Sequence, residues 1–327
     1  MSSDFTFVWV ALGALFDPLT IAYALAALGL TVHFGFTGLL NFGQAGFMSI
    51  GGYFFAVTVT KLGWGFFPAV LMAILGAVLF ALLLGVPTLR LRADYLSIVT
   101  IGSAEIIRLT VRTPELHDIT GGSDGLNGAG RAFFALNPLP ESFRLSLGSI
   151  TYSSDQVWIR LVGWCTVAVA ALFIWMLIRS PWGRVIKGIR EDEDAVRALG
   201  KNAFSYKMQA LIIGGVLAGL GVIFAIMPSS LQPDNYGTQT TFFIWAIMLL
   251  GGAATIFGPI VGSMIFWATI ALTEGFVSLG VKYGVLPITT VQSGQIRYML
   301  VGVALMLIVI FRPQGIFGKK AEARFNV

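Results

Sequence analysis

The run FFPAVLMAILGAVLFALLLGVPTL at 66–89 contains no charged residue. An α-helix needs about 20 apolar residues to cross a hydrocarbon core about 30 Å thick, and this run suffices. The same reading extends along the chain in both directions. Before it lie apolar segments at 18–36 and 42–60; after it come 95–112, 157–178, 207–227, 240–257, 259–280 and 293–311. Each is close to the length a span requires. A further segment, 5–16, is shorter and is closed by Asp17-Pro18, so it reads as a half-helix or a re-entrant piece. The segments of about 10 residues with alternating polarity that mark a membrane barrel are absent. The expectation is an all-α polytopic membrane protein with eight to ten transmembrane helices.

Composition agrees. Of 327 residues, 56% are hydrophobic and 11% charged, against about 25% charged in soluble domains. The mean hydropathy is +0.83. A soluble globule cannot hide so much apolar surface. A single cysteine, Cys165, rules out an internal disulfide and a thiolate cluster. Two distant histidines, His33 and His117, leave little material for a metal site or a nucleophile. No HExxH, GxSxG or Walker A motif occurs, so no catalytic or metal-binding residue is assigned. Basic loops at a membrane surface explain the net charge of +5 better than nucleic acid does. The N-terminal residues lack the basic flank of a cleavable signal, so the first apolar stretch is expected to remain.

Segment 179–207 carries seven bases, from Arg179 to Lys207, and its four acids are Glu191 to Asp194. Lys and Arg mark the cytoplasmic side. Arg90, Arg92 and the tail bases Arg312, Lys319, Lys320 and Arg324 then fall inside as well. The 113–156 loop, with five acids against Arg131 and Arg144, falls outside. Residues 1–318 are read as one transmembrane domain and 319–327 as a cytoplasmic tail, where Lys319 and Lys320 offer an anionic-lipid contact.

Four stretches carry the functional signal. Segment 35–52, GFTGLLNFGQAGFMSIGG, sets six glycines around Asn41 and Gln44. Small residues let membrane helices approach closely, but amides flanked by glycines also suggest a broken helix of the kind that lines a solute route. Both readings stand at this level. A second glycine-rich break, GGAATIFGPIVG at 251–262, hints at an internal repeat. Segment 94–112 is the most polar span: Tyr95 and Thr100 interrupt its apolar face, and Glu105 and Arg108 stand three apart, close enough to pair within the membrane or to snorkel from its end. TGGSDGLNG at 120–128 lacks the Lys-Ser/Thr of a P-loop and reads as turns. In the basic loop, Asp192 to Leu199 lacks helix breakers and ends at Gly200, a natural C′ residue. So short a helix needs a docking surface.

Asp194-Ala195-Val196 followed by Gly200 resembles the EAA-x3-G sequence of permease subunits in ABC importers, with Asp for Glu and Val for the second Ala. GLTVHFGFTGLLNFGQAGFMSIGGY (29–53), TGGSDGLNG (120–128), SPWGRVIKGIREDEDAVRALG (180–200) and FRPQGIFG (311–318) together resemble the LivM-type permeases of branched-chain amino-acid importers. The resemblance covers about 29–318 in the right order. It implies a bacterial inner-membrane permease with a cytoplasmic C-terminus and a short cytoplasmic coupling helix. Implied partners are a LivH-type sister permease, two ABC ATPase subunits that bind ATP and Mg, and a periplasmic binding protein. This chain would hold no cofactor of its own. Ala195 and Ala198 would allow close approach to the ATPase, Arg190 and Arg197 would pair with its acids, and Asp194, Val196 and Gly200 would complete the coupling contact. Asn41, Gln44, Tyr95 and Thr100 are the candidates for the route. Leucine, isoleucine and valine are the default solutes; related permeases carry urea, short amides or other amino acids. A stand-alone secondary carrier is the rival class, and the sparse intramembrane charge argues against it.

Overall fold

The run at 66–89 turns most of its small residues inward, with Phe80 and Leu84 buried among them. In the computed structural model it forms a helix, Phe66–Thr88, that buries Ala69, Ala73, Gly76, Ala77 and Ala81 and turns Leu71, Leu75, Leu79 and Leu83 outward. Leucine gains nothing by leaving lipid for protein, whereas small residues let backbones approach and gain dispersion contacts. The structure describes residues 6–89 and 93–283, single positions between 299 and 311, and 314–318. Arg90, Arg92, Arg312, most of the 293–311 span and the 319–327 tail lie outside the described residues.

The helices in chain order are α1 Thr6–Ala14, α2 Pro18–Leu30 with a π-helical extension Thr31–Phe36, α3 Gln44–Thr60, α4 Phe66–Thr88, α5 Ala93–Arg112, α6 His117–Thr120, α7 Arg131–Phe134, α8 Ser154–Arg179, α9 Pro181–Glu191, α10 Glu193–Ala198, α11 Ala203–Ile226, α12 Thr238–Gly251 and α13 Phe257–Lys282. Among the described residues, strands are confined to two short antiparallel pairs. β1 Leu126–Asn127 joins β4 Ser230–Leu231, and β2 Arg144–Leu147 forms a hairpin with β3 Ile150–Ser153. The 120–128 stretch runs from the end of α6 through a 3-10 turn, Gly122–Asp124, into β1, and Gly125, at φ 72°, lets the backbone press against the Leu231 carbonyl where that first pair forms.

Among the described residues, five stretches are long and apolar enough to cross a membrane: Thr6–Phe36, Phe66–Thr88, Ser154–Arg179, Ala203–Ile226 and Phe257–Lys282. The protein is a multi-pass, all-α membrane protein. Three more helices pack in the same bundle but differ from a simple span. α5 carries Asp94, Glu105, Arg108 and Arg112. α3 has 17 residues and begins at Gln44. α12 has only 14 and stops at Gly251, short of the expected 257, because Gly252 at φ 117° turns the chain away. The first segment is nine residues long, about 13 Å at 1.5 Å per residue. It cannot cross alone, and Asp17 starts a new helix by accepting the Leu19 amide.

α2 is the central helix, buried from Thr20 to Leu30. α11 runs antiparallel to it, with Gly214 against Gly29 and Gly221 against Ala22. α3 runs parallel to α11, and its Gly51 lies so close to Gly219 that an added Cβ would stand 2.5 Å from that Cα. α8 spans about 39 Å by its 26 residues, so the α9–α10 loop and the 113–156 loop lie at opposite ends of the bundle.

Candidate functional site

Between the π-helical turn and α3 the chain runs without regular structure from 37 to 43. Irregular backbone at membrane depth is tolerated only where protein satisfies its polar groups, and here most of the amides find a protein partner. The Gly38 amide donates to the Phe34 carbonyl (3.1 Å) and the Leu39 amide to the His33 carbonyl (2.8 Å). The Phe42 amide donates to Thr100 Oγ1 on α5 (3.0 Å), and the Gly43 amide to Asn41 Oδ1 (2.8 Å). Ala45, in the first turn of α3, donates to Thr241 Oγ1 on α12 (3.1 Å). Trp245 on α12 donates its Nε1 proton to the Asn41 carbonyl (3.1 Å), and its ring stacks on Phe42 at 4.7 Å.

Inside this break lies a closed knot of side chains. Asn41 Nδ2 donates to Gln44 Oε1 (2.9 Å) and stands 3.0 Å from His33 Nδ1. Gln44 Nε2 donates to the Ala26 and Gly214 carbonyls at 3.0 and 3.3 Å. His33 Nε2 lies 3.0 Å from the Leu211 carbonyl. A carbonyl cannot donate, so Nε2 carries the proton and Nδ1 accepts from Asn41. Each amide hydrogen of Asn41 and Gln44 then has a partner, and all three side chains are fully buried. The knot ties the break to α2 and α11 with neutral groups alone.

The basic loop is built as two helices. Pro181 at the first position starts α9. Its Gly183, Ile186 and Ile189 face inward. Asp192 then caps α10, accepting the Ala195 amide at 2.9 Å. Gly200 ends the turn at φ 75°, as a C′ residue should. The four acids therefore divide: Glu191 closes α9, Asp192 is the cap, and only Glu193 and Asp194 open α10. Val196 is buried against Ile189 and Ala203. Asp194, Ala195, Ala198 and Gly200 are exposed, and Leu199 is 80% exposed. Arg197 bonds to Glu193 (2.7 Å) and Asp194 (3.4 Å) on its own helix. Glu193 also pairs with Lys207 on α11. Arg190 turns into the chain, its Nη1 donating to the Gly35 carbonyl at 2.5 Å.

Residues 18–310 match the family described as branched-chain amino acid transport system / permease component. The chain belongs to that family. It is 32% identical to the "High-affinity branched-chain amino acid transport system permease protein LivM" of Escherichia coli (strain K12), over 91% of this chain and 68% of the relative. It is 24% identical to the "Probable branched-chain amino acid transport permease protein LivM" of Methanocaldococcus jannaschii, over 91% of each. A shorter likeness, 29% over 112 residues and 32% of each chain, links it to the "Autoinducer 2 import system permease protein LsrC" of Salmonella typhimurium. The chain is thus a permease subunit of an ABC transporter.

Within this permease, the structure brings Asn41, Gln44 and Thr100 together around the break. Tyr95 stands apart, 58% exposed on the outer face of α5. Glu105 and Arg108 form a forked pair with contacts of 2.5–3.1 Å, and Arg108 Nη1 reaches Asp234 at 2.6 Å. Arg112 adds a contact to the same Asp234 oxygen at 3.2 Å. This ion network lies at the end of α5 that enters the 113–156 loop, and it straps the turn Pro233–Tyr236 to that helix. Four members of these sites were missed by sequence reasoning: His33, Thr241, Trp245 and Asp234. Only α9 had a readable signal, with Trp182, Val185, Ile186 and Ile189 at helical spacing opposite Arg184 and Lys187.

Proposed function

We propose that the chain is one half of the membrane pore of an ATP-driven importer that brings branched-chain amino acids into the cytoplasm of a bacterium. The observation that carries the coupling part of this reading is the surface of α10. Ala195, Ala198 and Leu199 are exposed on a short helix whose other side, through Val196, is seated on α9 and α11. A six-residue helix has little stability of its own, and a large apolar side chain presented beside small ones suits a groove on a partner. The partner would be one of two separate ATPase subunits that bind ATP and Mg. A LivH-type sister permease would complete the pore, and a periplasmic binding protein would deliver solute to the face bearing the 113–156 loop. The excess of Lys and Arg in 179–207 supports a cytoplasmic position for that loop, and for the tail with it.

The solute assignment follows the two relatives matched over most of the chain, both named for branched-chain amino acid transport. The neutral knot at Asn41 and Gln44 is compatible with it: fixed charge near the route would hold a zwitterion rather than pass it. ATP-driven closure of the ATPases would move α10, and the break between α2 and α3, with Thr100 beside it, would reshape the route.

The test is gentle purification of the tagged chain from its native membrane, with mass spectrometry of what accompanies it. Two ATPases and a second permease are expected, and calorimetry of the associated binding protein should give heat with leucine, isoleucine or valine. A chain that purifies alone and moves solute in liposomes without ATP would overturn the importer reading. A binding protein that takes only urea or another solute would overturn the substrate.

A further inference from the structure

We infer that Arg190 is a positioning residue that pins the coupling loop to the break in the membrane, making α9 the arm through which motion of α10 reaches the route. The inference rests on the importer reading proposed above. Gly35 belongs to the last turn of the π-helical extension, and the carbonyls of a helix end lack onward partners. Arg190 supplies one: its Nη1 lies 2.5 Å from the Gly35 oxygen, a charge-assisted bond at the helix end where cations are favoured. The rest of the side chain lies along the break. A Cβ at Gly38, φ 76°, would stand 3.4 Å from Arg190 Cγ and 3.6 Å from its Cα. One turn back along α9, Lys187 Nζ lies 5.9 Å from the centre of the Phe36 ring. α9 therefore touches three residues within Gly35–Gly38.

The opposite side of Gly35 meets the second glycine-rich break. No side chain fits between Gly35 and the Ala253 carbonyl. That second break is clamped in turn by the end of the chain, where the Ile316 and Phe317 amides donate to the Leu250 and Gly251 carbonyls at 2.9 and 3.0 Å. The two breaks thus meet at the residue Arg190 holds, and the 314–318 turn braces the second of them from residues 250–251. α10 joins α9 through Val196 and Ile189, and joins α11 through Glu193 and Lys207. A cavity of about 160 Å³, lined by Thr37, Leu39, Arg190, Glu193 and Lys207 among others, lies beside this contact. α9 is itself seated on the start of α11, where Ile189 packs with Ala203 and Trp182 Nε1 donates to Gln209 Oε1 at 2.8 Å, so a shift of α10 is carried by α9 and α11 together while Arg190 keeps its hold on Gly35.

The experiment uses the complete transporter in liposomes, with ATP hydrolysis and leucine uptake measured on the same sample. Arg190→Ala should lower uptake per ATP hydrolysed by about tenfold, a coupling loss of ordinary size, in complexes that still assemble by size-exclusion chromatography. Arg190→Lys, which keeps one donor and the charge, should recover part of that ratio. An unchanged ratio in Arg190→Ala would overturn the pin. So would a loss of the ATPases from the complex, which would make Arg190 a docking residue. If the unaltered complex moves no solute on ATP, the importer reading fails first, and the pin falls with it.

Discussion

The buried side of the break at 37–43 is held by neutral groups, with Arg190 reaching only its edge, whereas the far end of α5 is held by ions. His33, Asn41 and Gln44 are fully buried and exchange hydrogen bonds with one another and with helix carbonyls. Glu105, Arg108, Arg112 and Asp234 are charged and partly exposed, with side-chain exposures from 17% for Arg108 to 54% for Asp234. The difference follows from the cost of burial. A charge at membrane depth costs several kcal/mol, while an amide with all its partners costs little. A fold that must interrupt a helix within the membrane therefore does so with amides and an imidazole, and keeps its ion pairs near the water. Losing one partner has the opposite ranking. At the edge, water replaces a lost ion; in the knot nothing does.

The largest effect should come from Asn41→Leu. The side chain keeps its size but strands His33 Nδ1, Gln44 Oε1 and the Gly43 amide together. At about 1–3 kcal/mol for each of these three orphaned buried groups, the loss should total about 3–9 kcal/mol. It reads out as a large fall in melting temperature in nanodiscs or as failure to accumulate in the membrane. Next in size is Arg108→Leu, which should cost about 1 kcal/mol, in the range of exposed pairs. Salt should sharpen the contrast. Raising ionic strength to about 1 M, where the screening length is about 3 Å, should erase most of the difference between Arg108→Leu and the unaltered protein. It should leave the Asn41→Leu penalty in place. An Asn41→Leu protein as stable as Arg108→Leu would break the comparison.

How far the sequence reaches is also uneven between these two regions. Asn41, Gln44 and Thr100 were visible because amides and hydroxyls in an apolar, glycine-rich run are conspicuous, and the pairing of Glu105 with Arg108 follows from helical spacing. Their partners were not visible. His33 reads as an isolated histidine, since its anchor is the carbonyl of Leu211, 178 positions away. A backbone oxygen carries no sequence signature. Asp234 lies 126 positions from Arg108, and Thr241 and Trp245 look like ordinary residues of an apolar segment. Helix existence was legible almost everywhere, because length and hydropathy decide it. The end of α12 was not, because Ala253, Ala254 and Ile256 continue the apolar pattern past the turn at Gly252. In the basic loop, the acid cluster masked the boundary between α9 and α10. Asp192 serves there as the cap of a second helix, and charge alone does not distinguish a cap from a first turn.

The smallest predicted effect lies at that cap. Asp192→Ala removes the acceptor for the Ala195 amide and should cost about 1 kcal/mol, confined to α10. Hydrogen exchange should quicken at Ala195 and its neighbours while the melting temperature of the bundle stays unchanged. A shift of the global transition would mean that α10 is part of the core rather than a docking element seated on it.

The central claim is that ATP-driven transport passes through the exposed face of α10, and Ala195→Arg tests it most directly. The residue is exposed, so a long charged side chain fits the isolated chain but obstructs a close-fitting partner. Leucine uptake by the complete transporter, compared with the amount of chain in the membrane, should fall to background while the chain remains at its normal level. Normal uptake by Ala195→Arg would contradict the account, because the surface assigned to coupling would then have nothing pressed against it.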